Sequence, residues 1–194
     1  MNHDSYADSY IREILNGVKT IAMVGASPVN VRPSYFAFKY LAQRGYDMIP
    51  VNPGQVGNSL LGKPFVASLH DIGRPVDMVD IFRSSAHVMP LVEQALTMNP
   101  LPRVIWMQLG ARNDEAAAKA EANGLKVVMN RCPKIEYGRL SSEISWMGVN
   151  SRTLSSKRAP VPTQGMRLSL NRSSLGGGET TASDRAAKTR NDPA

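Results

Sequence analysis

The chain has 194 residues, enough for one ordinary domain plus additional length, and its net charge of +7 is unevenly distributed. Residues 151–194 carry eight Lys and Arg against three Asp and Glu, and they contain no aromatic residue. Residues 1–150 carry 15 against 13, so the basic excess does not indicate a nucleic-acid-binding face on the folded part. The single cysteine excludes an internal disulfide framework and a multi-thiolate zinc site.

The rest of the composition favours a cytoplasmic protein without a membrane segment. No apolar run approaches the roughly 18 residues that a membrane-spanning helix needs. The first residues are polar and acidic, unlike a secretory signal. His3, His70 and His87 are scattered without the spacing of metal ligands, so we expect no metal site.

Short apolar runs alternate with helical patterns over the first part of the chain, which predicts a parallel sheet with helices on both faces. Pro33 suits the first position of a helix, Gly45 the position after one, and Asn113 the cap of another. The predicted elements are, in chain order, a helix over 6–15, a strand over 20–24, a helix over 33–44, a strand over 46–51, a short strand or extended piece over 63–66, a helical turn over 68–72, a strand over 76–82, a helix around 88–95, a strand over 104–107, a helix from 114 to about 123, a strand over 125–129 and a short helix over 135–140.

The domain prediction is one α/β domain over residues 1–150, followed by a basic C-terminal tail over residues 151–194. The tail is rich in Ser, Thr, Arg, Gly and Pro, so it cannot bury enough apolar surface to offset the entropy of ordering, and we expect disorder. Without aromatic residues for base stacking, it does not indicate nucleic-acid binding. A protein partner of the tail, or a homo-oligomer, stays open.

In an open parallel sheet, ligands bind at the carboxyl ends of the strands. Five predicted strands there run into small, polar loops, and the helices that follow offer free N–H groups to an anion. Arg32, just before one such helix, is a candidate partner for a phosphate. We therefore expect a phosphate-bearing ligand at this edge.

The usual dinucleotide fingerprint is missing. The loop Gly25-Ala26-Ser27-Pro28 lacks the second and third glycines of G-x-G-x-x-G. The second strand ends in Val51-Asn52-Pro53, with no acidic residue for the ribose hydroxyls, and no P-loop Lys-Ser/Thr pair occurs. NAD and a nucleoside triphosphate are both disfavoured.

Five motifs, in order, carry a family resemblance over roughly residues 10–140. The chain resembles the small stand-alone CoA-binding-domain proteins, relatives of the CoA-binding domain of the succinyl-CoA synthetase alpha subunit. The motifs are Ile21-Ala22-Met23-Val24-Gly25-Ala26-Ser27-Pro28 with Arg32-Pro33-Ser34, Gly45-Tyr46 leading to Ile49-Pro50-Val51-Asn52-Pro53, Val76-Asp77-Met78-Val79-Asp80-Ile81-Phe82-Arg83, Trp106-Met107-Gln108-Leu109-Gly110 and Val128-Met129-Asn130-Arg131-Cys132-Pro133.

The resemblance implies a Rossmann-like, doubly wound domain of the NAD(P)-binding-like kind that binds coenzyme A. It implies that Gly25, Ala26, Ser27 and Pro28 hold the pyrophosphate through backbone N–H groups. It places Asn52 and Pro53 at the adenine or ribose, Phe82, Arg83 and Ser84 on the far wall, and Gln108 through Gly110 on the pantetheine side. The synthetase also needs a domain with a phosphorylated histidine and a partner subunit, for which this chain has no room, so ligase activity does not follow.

Individual side chains allow other interpretations. Asp77 and Asp80 lie in an apolar strand and need partners, of which Arg83 is one candidate, although Asp80 as a general base stays open. Cys132 reads as a small core residue, or as a thiol whose pKa Arg131 lowers. Four aromatic residues within 35–40 exceed one buried helix face, so some are free for a ligand or a second subunit.

The resulting prediction is non-catalytic binding of coenzyme A or a short acyl-CoA, with no catalytic residue. The alternatives are a Rossmann-type enzyme that uses NAD(P), and an accessory subunit of an acyl-CoA ligase. The predicted cofactor-binding residues are Gly25, Ala26, Ser27, Pro28, Arg32, Asn52, Pro53, Phe82, Arg83, Ser84, Gln108 and Gly110.

Overall fold

A computed structural model describes residues 1–141, so the predicted boundary at residue 150 and the tail lie outside the described residues. Five strands form one parallel sheet in the order β2-β1-β5-β6-β7, and β3 and β4 form a separate antiparallel pair. The elements are α1 (Asp8–Gly17), β1 (Thr20–Val24), α2 (Pro33–Gln43), β2 (Asp47–Val51), β3 (Ser59–Leu60), β4 (Lys63–Pro64), β5 (Met78–Ile81), α3 (Val88–Leu96), β6 (Val104–Met107), α4 (Asp114–Ala122), β7 (Lys126–Val128) and α5 (Pro133–Leu140).

Successive strand side chains point to opposite faces, and both faces are buried. Ile21 and Met23 of β1 pack with residues of α1, α2 and α5, whereas Ala22 and Val24 pack with residues of α3 and α4. The helices therefore cover both faces of a parallel sheet, as the apolar strand runs predicted. The α/β, doubly wound, Rossmann-like fold class is confirmed.

Local sequence features set the helix boundaries. Pro33 begins α2, Gly45 adopts a φ of 83° just after it, and the Asn113 side chain accepts a hydrogen bond from the amide of Ala116 to cap α4. α1 begins and ends two residues later than predicted and includes Gly17. Of the short strand or extended piece predicted over 63–66, β4 covers only Lys63–Pro64, and Val66 makes an isolated bridge to Val51.

The strand order reverses next to β1. The helix that follows β1, α2, packs on one face of the sheet, and the helix that follows β5, α3, packs on the other. The chain thus leaves these two neighbouring strands in opposite directions, which opens a crevice beyond their carboxyl ends. Within residues 1–141 no helix is long and apolar enough to cross a membrane.

Candidate functional site

The loop after β1 is drawn tightly against the neighbouring strand ends. The Gly25 amide donates to the Val51 carbonyl at 2.9 Å, and the Phe82 amide donates to the Val24 carbonyl at 2.8 Å. Gly25 has a φ of 84°, and a Cβ there would clash with the Phe82 carbonyl oxygen. Only glycine combines this conformation with this approach, so residue 25 fixes the start of the loop.

One amide of the same loop is open to a ligand. Within residues 1–141 the backbone amides of Ala26 and Ser27 have no acceptor, but Ala26 is fully buried, whereas Ser27 is partly exposed. The Ser27 hydroxyl accepts a hydrogen bond from the Val29 amide at 3.2 Å, which shapes the loop, and Pro28 has no N–H to donate. Ser27 therefore supplies a main-chain donor beside the crevice, and main-chain N–H groups in such loops bind anions.

Asn52 joins two loops. Its Nδ2 donates to the Ala26 carbonyl at 2.8 Å, and its Oδ1 accepts from the Gly54 amide at 3.1 Å. This side chain holds the loop after β2 against the loop after β1, and it keeps one N–H and one acceptor lone pair for an adenine or ribose. Its predicted ligand contact is untested and stays a prediction; the neighbouring Pro53 lines a cleft described below.

Two arginines bring positive charge to this edge. Arg32 is exposed at the N-cap of α2, and the Nε of Arg83 lies 3.3 Å from where a Cβ on Gly25 would be. In the described part of the chain neither guanidinium has a carboxylate partner. The proposed pairing of Arg83 with Asp77 is wrong, because Asp77 pairs with Arg103 at 3.1 Å and accepts the amides of Lys19 and Thr20.

Three adjoining clefts lie along the carboxyl edge. One of about 380 Å³ separates the end of β2 from α3, one of about 290 Å³ follows β5 and β6, and one of about 600 Å³ separates α2 from α5. We call the last the α2–α5 cleft. It is lined by Val31, Pro33, Phe36, Ala37, Phe82, Gln108, Leu109, Cys132, Lys134 and Ile135. Its lining is mainly apolar, and the volumes of all three are close to or within the range usual for small-molecule sites.

A buried acid lies below this region. Asp80 is fully buried in β5, and its Oδ1 accepts a hydrogen bond from Gln108 Nε2 at 2.8 Å. Its Oδ2 has no partner among the described residues. Burial raises the pKa of Asp80 to about 7, and the Gln108 hydrogen bond opposes that rise only in part. The partner of Asp80 is thus Gln108. The interpretation from the sequence that paired Asp80 with Arg83 is wrong.

Cys132 borders the α2–α5 cleft and is half-buried, so it is not the plain core residue that the sequence favoured. Burial is the main cause that acts on the pKa of its thiol, and it raises that pKa. The alternative in which Arg131 lowers the pKa is therefore wrong. The Arg131 guanidinium instead donates to the Asn130 carbonyl and lies over the ring of Tyr6. At neutral pH the thiol is protonated and a weak nucleophile.

The remaining predicted residues are brought to the same edge. Ser84 Oγ bonds His87 Nδ1 at 2.8 Å within an exposed turn, and no described acceptor orients the other ring nitrogen. The Gly110 amide donates to Asn130 Oδ1 at 2.9 Å, so it is not free for a ligand. Ser84 and Gly110 line the 290 Å³ cleft with Phe82 and Gln108.

Sequence reasoning missed the residues that α5 contributes. Lys134 and Ile135 line the α2–α5 cleft, and the ammonium group of Lys134 lies 6.0 Å from the ring centre of Phe36. The surplus of aromatic residues in α2 was the available indication, since Phe38 is buried whereas Phe36 is 50% exposed and faces the cleft. Nothing in the sequence showed that α5 would lie opposite. Among residues 1–141, no three His, Cys, Asp or Glu side chains gather as metal ligands.

The fold and its edge loops define a Rossmann-like α/β domain, and comparison with protein families matches residues 19–138 to the CoA binding domain. The chain belongs to this CoA-binding-domain family, as the five motifs indicated.

Individual relatives agree with that assignment. Uncharacterized protein YneT of Bacillus subtilis (strain 168) is 36% identical over 127 residues, which are 66% of this chain and 91% of that protein. A hypothetical protein from Pyrococcus horikoshii OT3 is 40% identical in its solved structure, with a TM-score of 0.65 over 72% of this chain and 96% of that one. The structure of cell-free ID.343 from Thermus thermophilus is 36% identical, with a TM-score of 0.65 over 69% and 98%.

Proposed function

We propose that this protein binds coenzyme A, free or as a short acyl-CoA, at the carboxyl edge of its sheet, and that it performs no chemistry on it. The observation that carries the proposal is the loop after β1, whose partly exposed Ser27 amide lacks an acceptor in the described chain and whose Gly25 lies against the Arg83 side chain. Membership in the CoA-binding-domain family supports the same ligand.

The charge distribution suits the diphosphate. Main-chain N–H groups and guanidinium groups are the donors that bind phosphate most strongly. The Ser27 amide would bind the diphosphate, with Ala26 buried beneath it, and Arg32 and Arg83 would neutralise its charge. We place Ser27 and Pro28 at this position as loop-shaping residues, with Gly25 as the residue that allows the close approach.

The α2–α5 cleft suits the long arm of the ligand. Pantetheine is mostly aliphatic with two amide groups, and the cleft is mostly apolar, with Gln108 at its wall. The 380 Å³ cleft beside Pro53 and Arg83 would take the adenosine. Asn52 contributes by fixing both loops, and Phe82, Ser84 and Gly110 form the wall between the clefts.

The non-catalytic part of the proposal rests on the state of the reactive groups. Burial raises the pKa of the Cys132 thiol, so the thiolate is scarce. The carboxyl group of Asp80 is buried and bonded to Gln108. His70 and His87 are exposed and bonded to Thr97 and Ser84, and within residues 1–141 no carboxylate orients either ring.

Parallel calorimetric titrations of the full chain with CoA, NAD, NADP and ATP test the ligand. We expect micromolar or tighter binding of CoA and no comparable heat from the other three. Micromolar NADP binding without CoA heat would instead favour the nicotinamide-dependent enzyme. Incubation with acetyl-CoA and succinyl-CoA, followed by mass spectrometry, tests the absence of chemistry, and turnover of either thioester would contradict it.

A further inference from the structure

Gln108 is held in one orientation by a buried partner. It follows β6, is 6% exposed, and borders both the α2–α5 cleft and the 290 Å³ cleft. Its Nε2 donates to Asp80 Oδ1 at 2.8 Å, inside a strand that is paired on both sides. The support therefore comes from the rigid centre of the sheet and not from a loop.

The partner decides which end of the carboxamide faces the ligand. Because Nε2 donates to Asp80 Oδ1, the NH₂ end of the Gln108 carboxamide faces Asp80, and an ionised carboxylate, which only accepts hydrogen bonds, holds it there. The Oε1 end then points away from Asp80. No donor in the described chain reaches Oε1, and Oε1 keeps some access to solvent. Gln108 thus presents an unused acceptor at the wall of the clefts.

We propose that Asp80 is a positioning residue that orients the Gln108 carboxamide so that Oε1 accepts a hydrogen bond from an amide N–H of the pantetheine arm. This inference rests on the proposed function. It names Gln108 as the residue that recognises the pantetheine arm of CoA, whereas other groups bind the nucleotide part.

The surroundings of Gln108 favour an amide N–H over a phosphate. Its neighbours Phe82, Leu109 and Ile135 present apolar side chains, and the ammonium group of Lys134, in the same lining, lies near the rings of Phe36 and Tyr40. A carbonyl oxygen backed by a carboxyl group repels phosphate, whereas the diphosphate has Arg83 and the Ser27 amide of the loop after β1. An apolar arm that carries secondary amides matches both the apolar wall and the single acceptor.

Three variants of the full chain test this assignment: Gln108→Leu, Asp80→Val and Asp80→Asn. Each is titrated with CoA and with 3′-phospho-ADP, which is CoA without the pantetheine arm. Gln108→Leu should weaken CoA about three- to tenfold, the usual net value of one hydrogen bond, and leave 3′-phospho-ADP unchanged. Asp80→Val should weaken CoA about threefold, because the carboxamide must then be ordered on binding.

The remaining variants separate positioning from a general effect on folding. Asp80→Asn restores an acceptor for Nε2 and should bind CoA within about twofold of the wild type. The double variant Asp80→Val/Gln108→Leu should bind CoA no more weakly than Gln108→Leu, since Asp80 acts through Gln108. Val79→Ala alters the same strand on the opposite face and is the matched control, with both affinities unchanged.

The outcomes distinguish the two proposals. Unchanged CoA affinity in Gln108→Leu, equal losses for both ligands, or additive losses in the double variant would overturn the role of the Asp80–Gln108 pair while leaving CoA binding intact. If Asp80→Val does not fold, Gln108→Leu still decides whether Oε1 contacts the arm, and Asp80→Ala replaces Asp80→Val, alone and in the double variant, to decide the positioning role. A wild-type protein that binds neither compound would overturn the proposed function and this inference with it.

Discussion

Asp80→Asn tests the description of the buried acid. Asp80 is fully buried, one carboxyl oxygen has no partner among the described residues, and burial raises its pKa from 3.8 to about 7. The folded protein therefore binds this proton more tightly than the unfolded chain does. Between about pH 4 and pH 7 the folded state holds more protons, so its stability falls as the pH rises and levels off above pH 7.

The size of the effect follows from the two pKa values. A tenfold difference in proton affinity is worth about 1.4 kcal/mol, so raising the pKa of Asp80 from 3.8 to about 7 costs the ionised folded protein about 4 kcal/mol. About 3 kcal/mol of this loss falls between pH 5 and pH 8. An asparagine at this position cannot ionise and escapes the loss.

Urea unfolding of both proteins at pH 5 and pH 8 measures the difference. The free energy of unfolding of the wild type should fall by about 3 kcal/mol relative to Asp80→Asn between these values. Asp47→Asn is the control: the hydrogen bond from Arg74 lowers the pKa of Asp47, so it is ionised in both states over this range, and its removal should leave the pH dependence unchanged. Parallel curves for the wild type and Asp80→Asn would refute the reasoning.

Four further predictions concern the site. Gly25→Ala should abolish CoA binding and lower the free energy of unfolding in urea by at least about 2 kcal/mol. Gly124→Ala is the control, because it has nearly the same positive φ and nothing within 4 Å of the new Cβ, so it should cost about 1 kcal/mol and bind CoA normally. Similar effects of the two variants would contradict the close approach at Gly25. Arg83→Gln should weaken CoA binding about tenfold in calorimetric titrations and reduce its dependence on salt. Arg74→Gln is the control, because it loses the same charge at a residue that pairs with Asp47. Equal affinities of the two variants for CoA would show that Arg83 is not part of the site. Cys132, the only cysteine of the chain, should react slowly with a thiol reagent at pH 7, and bound CoA should slow the reaction further. 3′-Phospho-ADP, which lacks the pantetheine arm, should not protect the thiol. Protection by both compounds would contradict the placement of the arm in the α2–α5 cleft. Removal of residues 151–194 should leave the calorimetric affinity for CoA unchanged, and loss of binding would assign the tail a part in the site.

The strands of the sheet were predictable because local sequence patterns identify them. The strands over 20–24 and 104–107 have the predicted bounds, since each is a short run that is apolar on both faces and is followed by a polar or glycine-containing loop. The same locality explains why Pro33 and Asn113 marked helix starts correctly. The five motifs then identified the family, which the comparison confirmed.

Contacts across strands and loops were not predictable in this way. The Asp80–Gln108 hydrogen bond depends on the register of β5 against β6, in which Asp80 lies opposite Trp106 and Gln108 follows two residues later on the same face. The bonds from Asn52 to the loop after β1 and from Gly110 to Asn130 likewise join segments that are distant in sequence. Sequence patterns give the period of an element but not the register between elements.

A crystal structure of the full chain with CoA tests the central claim most directly. We predict the diphosphate on the Ser27 amide, with the pantetheine arm along the α2–α5 cleft and one of its amides within hydrogen-bond distance of Gln108 Oε1. A structure in which CoA lies elsewhere while the loop after β1 makes no contact with it would contradict the account.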